Sequence, residues 1–476
     1  MPDPPPPPLG QLLGPEKLKA VTELVDKLCQ DLDNVFLFPP QREGSLEELK
    51  IYSRDPNNAD PIFTEKGMMM LLRHAFHSPS SKTARAALRV LANAMLLNPE
   101  TRQIFVDKGF APRACHGLKS DNFDDEFLLS RIIFLLTYGT DVNLEELVDK
   151  HNLADHIMDN ISRHAREVSK ESKSKAPVDP MEDMALGETL KLLFNITHFC
   201  PDRVSIFTPA VPNLVPLLWK QDISQSKPLE APLGPVINAL LNLDLEAGMS
   251  RAALYPKNEP DKVALRLIEI LDPAIKTYRD SELDNVITPL VGVIRKVYDY
   301  APDSTKQRMR KLLLPTAEDR ENILGKGNTL SALILKNSTN PMAPAAREHL
   351  SHLLFDMSDK DASKFVENVG YGFASGFLYQ NNMPVPASAS EAFSTRDLSG
   401  SQKPVNPVTG QFYDAEKPVD EPEWSEEEKL REAERLFTTF ERLKQLGVVK
   451  VENPVETAIR EGSFRKLKDD EVEELD

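Results

Sequence analysis

Apolar residues recur along most of this chain three and four apart, the spacing of one helix face, and a six-residue phrase ending in a polar residue punctuates them. It reads Leu88-Arg89-Val90-Leu91-Ala92-Asn93, Leu190-Lys191-Leu192-Leu193-Phe194-Asn195 and Ile237-Asn238-Ala239-Leu240-Leu241-Asn242, with looser copies ending at Lys50, Thr137 and Lys296. Proline stands six residues after the closing position in four of the six copies, as Pro56, Pro99, Pro201 and Pro302. Proline pushes the residue before it out of the helical region, so a helix is expected to stop at a fixed distance past each closing residue. The closing positions lie 43, 44, 58, 47 and 54 residues apart. Periods of ~40 to 47 residues belong to armadillo and HEAT repeats, and the pattern predicts an all-α, armadillo/HEAT-like α-solenoid. The 58-residue step contains Ala165 to Asp183, a charged, proline-bearing stretch that reads as a loop insertion.

In such a stack the equivalent positions of the last helix in each repeat form a ladder along one surface, usually the concave one. The position four earlier lies on the same side, one turn back. The two columns pair Arg89 with Asn93, Lys191 with Asn195 and Asn238 with Asn242, and add Lys50 and Lys296; Arg54 lies one turn beyond Lys50. A strip of this kind is suited to hydrogen-bond the backbone or the end of a bound peptide. Solvated helix positions commonly carry Asn and Lys, which is the plain alternative for any single residue. Three Asn in one register argue against it, because Asn is a poor interior helix former with no packing advantage.

Outside the repeats the pattern changes. Residues 1–14 are proline-rich and read as disordered, and Pro15 to Leu32 reads as a first amphipathic helix carrying Leu18, Val21, Leu24, Val25 and Leu28. Repeats fill residues 15–380. Residues 381–424 are rich in Pro, Ser, Asn and Gly without a sustained period, which predicts a flexible arm. Ser425 and Glu428 form a capping box for a helix over 425–447 that buries Leu430, Ala433, Leu436, Phe437, Phe440, Leu443 and Leu446, with Gly447 placed to end it. An acidic tail follows, 448–476. A lone amphipathic helix on a long tether must fold back on the solenoid or clasp a partner.

Composition narrows the function classes. The formal net charge is −17, and from Asp414 to Asp476 there are 20 acidic and 11 basic side chains, a net of −9. Duplex nucleic acid is an improbable partner for so acidic a chain. Cys29, Cys115 and Cys200 are too few and too scattered for a disulfide framework or a zinc cluster, which suits a reducing cytoplasm. No apolar run approaches the ~18 residues of a spanning helix, so direct membrane insertion is not expected. His198 and Cys200 alternate on a helix and diverge, and Cys115 beside His116 is equally unremarkable, so both pairs read as packing residues rather than metal ligands. The glycines of Gly370-Tyr371-Gly372-Phe373-Ala374-Ser375-Gly376 lack the spacing and preceding strand of a dinucleotide loop and read as a turn or tight helix contact. No phosphate loop occurs. The expectation is a monomer with no cofactor, no metal and no covalent chemistry.

Several short blocks carry a resemblance. Leu49-Lys50-Ile51-Tyr52-Ser53-Arg54-Asp55, Leu193-Phe194-Asn195-Ile196-Thr197, Val369-Gly370-Tyr371-Gly372-Phe373-Ala374-Ser375-Gly376-Phe377-Leu378, Asn406-Pro407-Val408-Thr409-Gly410 and the helix after Trp424-Ser425-Glu426-Glu427-Glu428-Lys429 resemble, in this order along the chain, the synembryn family, also called resistance to inhibitors of cholinesterase. The resemblance spans about residues 20 to 455. It implies an armadillo/HEAT protein that binds heterotrimeric G-protein α subunits, promotes GDP release as a nonreceptor exchange factor and chaperones new α subunits. It further implies that the concave surface takes the α subunit's C-terminal helix, near Lys50, Arg54 and Asn93, while the arm and its helix, through Leu436, Phe437, Phe440 and Leu443, embrace the GTPase domain. Localisation would be cytoplasmic, with recruitment to the membrane periphery through the α subunit. Lys50 and Arg54 would suit a terminal carboxylate through charge-assisted hydrogen bonds. One departure stands out: animal members carry a dense acidic phosphorylation cluster in the arm, whereas here only Ser388 with Glu391 and Ser394 with Asp397 offer modification sites.

Two other readings stay open at this level. Importin-type adaptors pair an asparagine ladder with tryptophan one turn earlier, but this chain has only Trp219 and Trp424, and Lys50, Arg54, Arg89, Lys191 and Lys296 give its groove the wrong sign for a basic signal. A plain assembly scaffold without exchange activity is the other.

Overall fold

The computed structural model describes residues 12–171, 179–384, 393–396, 402–406, 408–416 and 431. Among them the chain is helical apart from one antiparallel two-stranded ribbon, Phe393–Arg396 against Gln402–Val405. Pro39–Tyr52, Ser81–Leu97, Phe123–Leu136, Pro180–Phe199, Leu233–Asn242, Asp280–Tyr300 and Pro344–Met357 pack each against the next in one layer, as inner helices one to seven. A second layer pairs with them: Gly14–Asn34, Glu65–His77, Ala111–Gly117, Leu153–Glu171, Val211–Leu217, Lys262–Thr277 and Leu330–Asn337 each pack on the inner helix that follows. This is an all-α solenoid of armadillo/HEAT type. The apolar positions of both layers form one continuous core, in which Leu91, Leu193, Leu240 and Ile294, each two residues before a closing position, are fully buried.

Local signals set the helix boundaries. The side chains of Ser80, Asn122 and Asp179 accept hydrogen bonds from the first-turn amides of inner helices two, three and four, satisfying donors that the helix itself leaves without partners. At the other end, inner helices one, two, four and six stop at Tyr52, Leu97, Phe199 and Tyr300, just ahead of Pro56, Pro99, Pro201 and Pro302. The first amphipathic helix forms over Gly14–Asn34 and buries Val21, Leu24, Val25 and Leu28, while Leu18 lies at its exposed edge.

Three features depart from the sequence reading. Inner helix seven carries no copy of the phrase as first defined, yet Leu353-Leu354-Phe355-Asp356 repeats Leu192-Leu193-Phe194-Asn195 with Asp in the closing place. The stretch from Ala165 to Asp183 is not a loop insertion over most of its length: helix Leu153–Glu171 runs into it and inner helix four begins at Pro180. Its charges misled, because Ile157, Ile161 and Ala165 sit one turn apart and bury one face while Arg163 and Arg166 leave it. Part of the expected flexible arm is built in. Residues 402–406 and 408–415 lie against the last repeats, with the Leu324 amide donating to Thr409 O at 3.0 Å and the Phe412 amide to Arg320 O at 2.9 Å. Phe412 is 1% exposed.

At the longest step, inner helices three and four are tied by a buried ionic network. Glu126 accepts from Arg163, from His164 Nε2 at 2.9 Å and from Thr189 Oγ1 at 2.7 Å. Glu182 pairs with Lys220 and lies 3.6 Å from His164 Nδ1, and Lys220 also lies 3.1 Å from Asp183. The side chains of Glu126, His164, Glu182 and Lys220 are all nearly inaccessible. Burial opposes charge on His164, but the hydrogen bonds to Glu126 and Glu182 and the Glu126 charge together outweigh it and the imidazole is raised above its ordinary value. His164 and then Lys220 hold the Glu182 carboxyl down to about 2. Burial pushes Glu126 up, but His164, Thr189 and Arg163 together reverse the direction and the group is lowered.

Linkage fixes the sign of the pH response. A raised imidazole contributes fully below its unfolded pKa of ~6.5, and the contribution disappears as pH rises through the higher folded value. The lowered carboxylates contribute above their unfolded values and lose that contribution as pH falls. The stability advantage of the native chain over His164→Gln should therefore shrink as pH rises from ~6.5 through the raised folded value. Urea midpoints of both proteins across that range check it, and a constant gap would remove the His164 charge from the network.

Candidate functional site

The closing residues do line one side of the inner helices, but their polar ends are used within the chain. Asn93 Nδ2 donates to Ser53 Oγ at 3.0 Å and to Lys50 O at 3.4 Å. Asn195 Nδ2 donates to Thr137 Oγ1 at 2.7 Å, and Asn242 Nδ2 to Phe194 O at 3.1 Å and Thr197 Oγ1 at 3.3 Å. Lys296 Nζ reaches Leu241 O at 2.5 Å and Leu243 O at 3.4 Å. Each therefore bonds the C-terminal end of the preceding inner helix, where the last carbonyls have no partner in their own helix and carry partial negative charge. The hydroxyls pass the bond on: Ser53 Oγ donates to Lys50 O at 2.9 Å, Thr137 Oγ1 to Phe134 O at 2.7 Å and Thr197 Oγ1 to Leu193 O at 2.8 Å. Between inner helices two and three, where the closing residue is Thr137, Arg102 takes over by donating to Met95 O at 2.7 Å and Tyr138 O at 3.4 Å. Asn195 is 3% exposed and its Oδ1 also accepts from Tyr138 Oη, so the expectation of a solvent-facing ladder fails at this rung. Burial lowers the Lys296 ammonium as well.

One turn back, basic side chains bind the next inner helix instead. Arg89 pairs with Asp124 at 2.6 Å and Arg85 with Asp125 at 2.7 Å, both carboxylates in the first turn of inner helix three. Arg131 pairs with Glu188 at 3.2 Å, and Lys191 with the same carboxylate at 2.9 Å. Arg295 meets the closing Asp356 at 2.8 Å, so the seventh rung keeps the contact with the direction of donation reversed. Lys50 pairs with Glu47 within its own helix. Arg54 and Lys191 are exposed, and Lys50, Arg89 and Asn238 are half-buried.

Beside the rungs lies an aromatic strip that the ladder argument did not anticipate. Phe134 and Tyr138 meet edge to face at 5.3 Å, Tyr138 and Phe199 at 6.3 Å, and His198 lies between Phe199 at 5.0 Å and Phe194 at 6.1 Å. Tyr138 and Phe199 are 42% and 46% exposed. The signal was in the sequence: Tyr138 follows one closing residue directly, and Phe199 and His198 follow the next by one turn. Water-facing aromatics at the ends of inner helices three and four, with exposed Arg54 past the end of inner helix one and exposed Lys191 on inner helix four, make a surface suited to an amphipathic helix with a polar or anionic end.

Other candidate chemistry resolves simply. Cys115 and Cys200 are buried, and burial pushes the Cys115 thiol up to about 12. Among the described residues no group of His, Cys, Asp and Glu could hold a metal ion. Gly370, with φ +85°, joins helix Ala362–Val369 to helix Tyr371–Gln380, and a Cβ on Gly372 would sit 2.6 Å from Val408 O, so this motif is a turn and a tight contact. Leu436, Phe437, Phe440, Leu443 and Ser388 lie outside the described residues; Ser394 stands in strand Phe393–Arg396.

Comparison with known proteins matches residues 45–463 to the family model described as guanine nucleotide exchange factor synembryn. A synembryn-like chaperone of Schizosaccharomyces pombe is 27% identical over 302 residues, covering 59% of this chain and 55% of that protein. Chaperone Ric-8A of Xenopus tropicalis is 24% identical over 477 residues, covering 91% of this chain and 86% of the relative. Among solved structures, an engineered protein matches 79% of this chain and 77% of its own with a TM-score of 0.45 at 16% identity. A designed armadillo repeat protein matches 60% and 98% with a TM-score of 0.33 at 15% identity.

The rungs generate a prediction about stability. Asn195→Asp keeps the shape but replaces a donor with a carboxylate against a helix C-terminus, so it should destabilise more than Asn195→Ala, which should itself cost about 1 to 3 kcal/mol. Leu193→Ala, a cavity in the core, should cost about 2 to 5 kcal/mol. Denaturant midpoints of the three variants check the order, and Asp tolerated as well as Asn would show that the rung is not a hydrogen bond.

Proposed function

Because the chain belongs to the synembryn family of guanine nucleotide exchange factors, we propose that it binds the α subunit of a heterotrimeric G protein, promotes GDP release from it and chaperones its folding. The family match over residues 45–463 carries this reading, and the chaperone names of the relatives agree with it. The partner surface we assign is the rung side of the inner helices. There Lys50, Arg54, Arg89, Lys191 and Asn238 supply polar contacts and Tyr138 and Phe199 supply apolar area, while Asn93, Asn195, Asn242 and Lys296 fix the spacing between them. An amphipathic helix ending in a free carboxylate fits such a surface: its apolar side covers the aromatics and its terminal charge meets Arg54 and Lys50.

Exchange of this kind makes and breaks no bond in the partner. A protein that binds the nucleotide-free α subunit more tightly than the GDP-bound form lowers GDP affinity by the same factor, since the coupling is reciprocal. Taking the α subunit's last helix out of its socket is the proposed route from capture to release. The helix expected at 425–447 adds a second contact, joined to the first through raised effective concentration. The protein would act as a monomer in the cytoplasm and reach the membrane periphery through its partner; among the described residues no helix is long and apolar enough to cross a membrane.

Two outcomes test the assignment. Arg54→Ala should weaken binding of a peptide copying the α subunit's last helix by about 1 to 3 kcal/mol, and amidating that peptide's carboxylate should remove most of the difference between the native and Arg54→Ala proteins. Calorimetric titration reads both, and equal affinity for acid and amide would take the carboxylate out of the mechanism. Replacing Leu436 and Phe440 together with Ser should leave peptide binding intact but slow GDP release from the whole α subunit, because apolar burial is lost while the tether remains. Stopped-flow release of a fluorescent GDP analogue measures it. Unchanged release with a lowered thermal midpoint would make the helix a cover for the solenoid instead of a clasp.

A further inference from the structure

Arg320 is a buried cation held by carbonyls. It is 3% exposed, and its guanidinium donates to Gly410 O at 2.9 Å, Glu367 O at 2.7 Å and Asn368 O at 2.9 Å. Burial lowers its pKa to about 10. Two of those carbonyls belong to the last turn of helix Ala362–Val369, where the helix dipole favours a cation. The third belongs to the segment after the ribbon. One side chain therefore joins the end of the repeats to a stretch ninety positions later.

The junction is built from both sides. Gln411 Nε2 donates back to Glu321 O at 2.9 Å and to Ala415 O at 3.0 Å. Leu324 and Phe412 add the backbone bonds to Thr409 O and Arg320 O already described. The turn that presents Gly410 is shaped by Asn406, whose Oδ1 accepts from the Val408 amide at 2.9 Å and the Thr409 amide at 3.3 Å. Gly410 itself has φ +67°, a region that glycine enters without strain. Gly372 lets Val408 O approach its helix closer than any side chain would allow, and Gly370 Cβ space is limited by Gly410 Cα at 3.5 Å. The two glycine-bearing motifs of the sequence thus meet each other at this point.

We propose that Arg320 and Gly372 are positioning residues for partner binding: they latch Asn406 and residues 408–412 to the last repeats and so set where the chain departs toward the C-terminal helix. This rests on the proposed α-subunit function. With the latch closed, the tether to the helix expected at 425–447 is residues 416–424; with it open, the ribbon Phe393–Arg396 against Gln402–Val405 still holds and the tether is residues 406–424. Effective concentration falls roughly as the −3/2 power of tether length, so opening should cost about threefold in the affinity gained from the second contact.

The test is Gly372→Ala in the full chain, with Arg320→Gln as a second variant. Alanine favours a helix over glycine, so any loss arises from the contact with Val408 and not from the helix carrying residue 372. Hydrogen exchange at the Leu324 and Phe412 amides should accelerate at least tenfold. Affinity for the whole α subunit should fall about threefold while affinity for its terminal peptide is unchanged. Combined with Leu436→Ser and Phe440→Ser, Gly372→Ala should cause no additional loss, since the contact it positions is already gone. Unchanged amide exchange in both variants would overturn the latch. Faster exchange with undiminished α-subunit affinity, or a loss that persists in the combined variant, would overturn the positioning role. If the unaltered chain binds no α subunit, the functional reading fails and the positioning role with it, while the exchange data still decide the latch.

Discussion

A helix leaves its last four carbonyls without intrahelical donors, and seven inner helices stacked side by side repeat that deficit at every step. The protein meets it across the repeat boundary: the closing side chain of one inner helix supplies the donor that the end of the previous one lacks. Asn93 does this at Lys50 O and Lys296 at Leu241 O, Asn195 does it through the Thr137 hydroxyl, which passes the bond to Phe134 O, and Asn242 bonds Phe194 O and Thr197 Oγ1 about one turn before the end of its helix. A side chain that must reach a neighbour's terminus fixes both the register and the spacing of the two helices. Core residues such as Leu91 and Leu193 supply the larger free energy, but apolar packing alone tolerates sliding that a hydrogen bond does not.

This constraint shapes the surface available to a partner. With the rungs engaged internally, the groups left beside them are exposed Arg54 and Lys191 and the half-open aromatics Tyr138 and Phe199. Their separation is inherited from the rungs. A surface so fixed suits recognition of a regular helix, whose own contacts recur at set intervals, better than an irregular peptide. The segment returning through Asn406 and Gly410 applies the same principle at the far end of the repeats, where Arg320 supplies donors to the end of another helix.

The repeat architecture was legible because period and proline position are local properties of the chain, readable without knowing any contact. The closing register was also legible, and at inner helices two, four, five and six it picked the side chains that reach the preceding inner helix. The fate of the closing side chains was not, because whether Asn195 meets water or Thr137 depends on a residue 58 positions earlier. Arg320 was invisible for the same reason: nothing near it in sequence distinguishes it from a surface arginine, and its partners lie 47, 48 and 90 positions away. The seventh repeat escaped because Asp356 inverts the donor–acceptor sense while keeping the contact. Charge was the least reliable guide. Over Ala165 to Asp183 it suggested a loop, yet helix Leu153–Glu171 runs into that stretch and helix Pro180–Phe199 begins within it, and just ahead of it Arg163 and His164 are matched with Glu126 and Glu182.

The central claim is that the rung side of the inner helices captures an α subunit whose nucleotide has left. The most direct test mixes the purified chain with a purified α subunit and measures complex formation by sedimentation velocity, first without nucleotide and then with a non-hydrolysable GTP analogue. The account predicts a stable one-to-one complex in the first condition that dissociates in the second. A complex equally stable with and without the analogue would contradict it, because a protein that binds both states alike cannot shift the equilibrium between them.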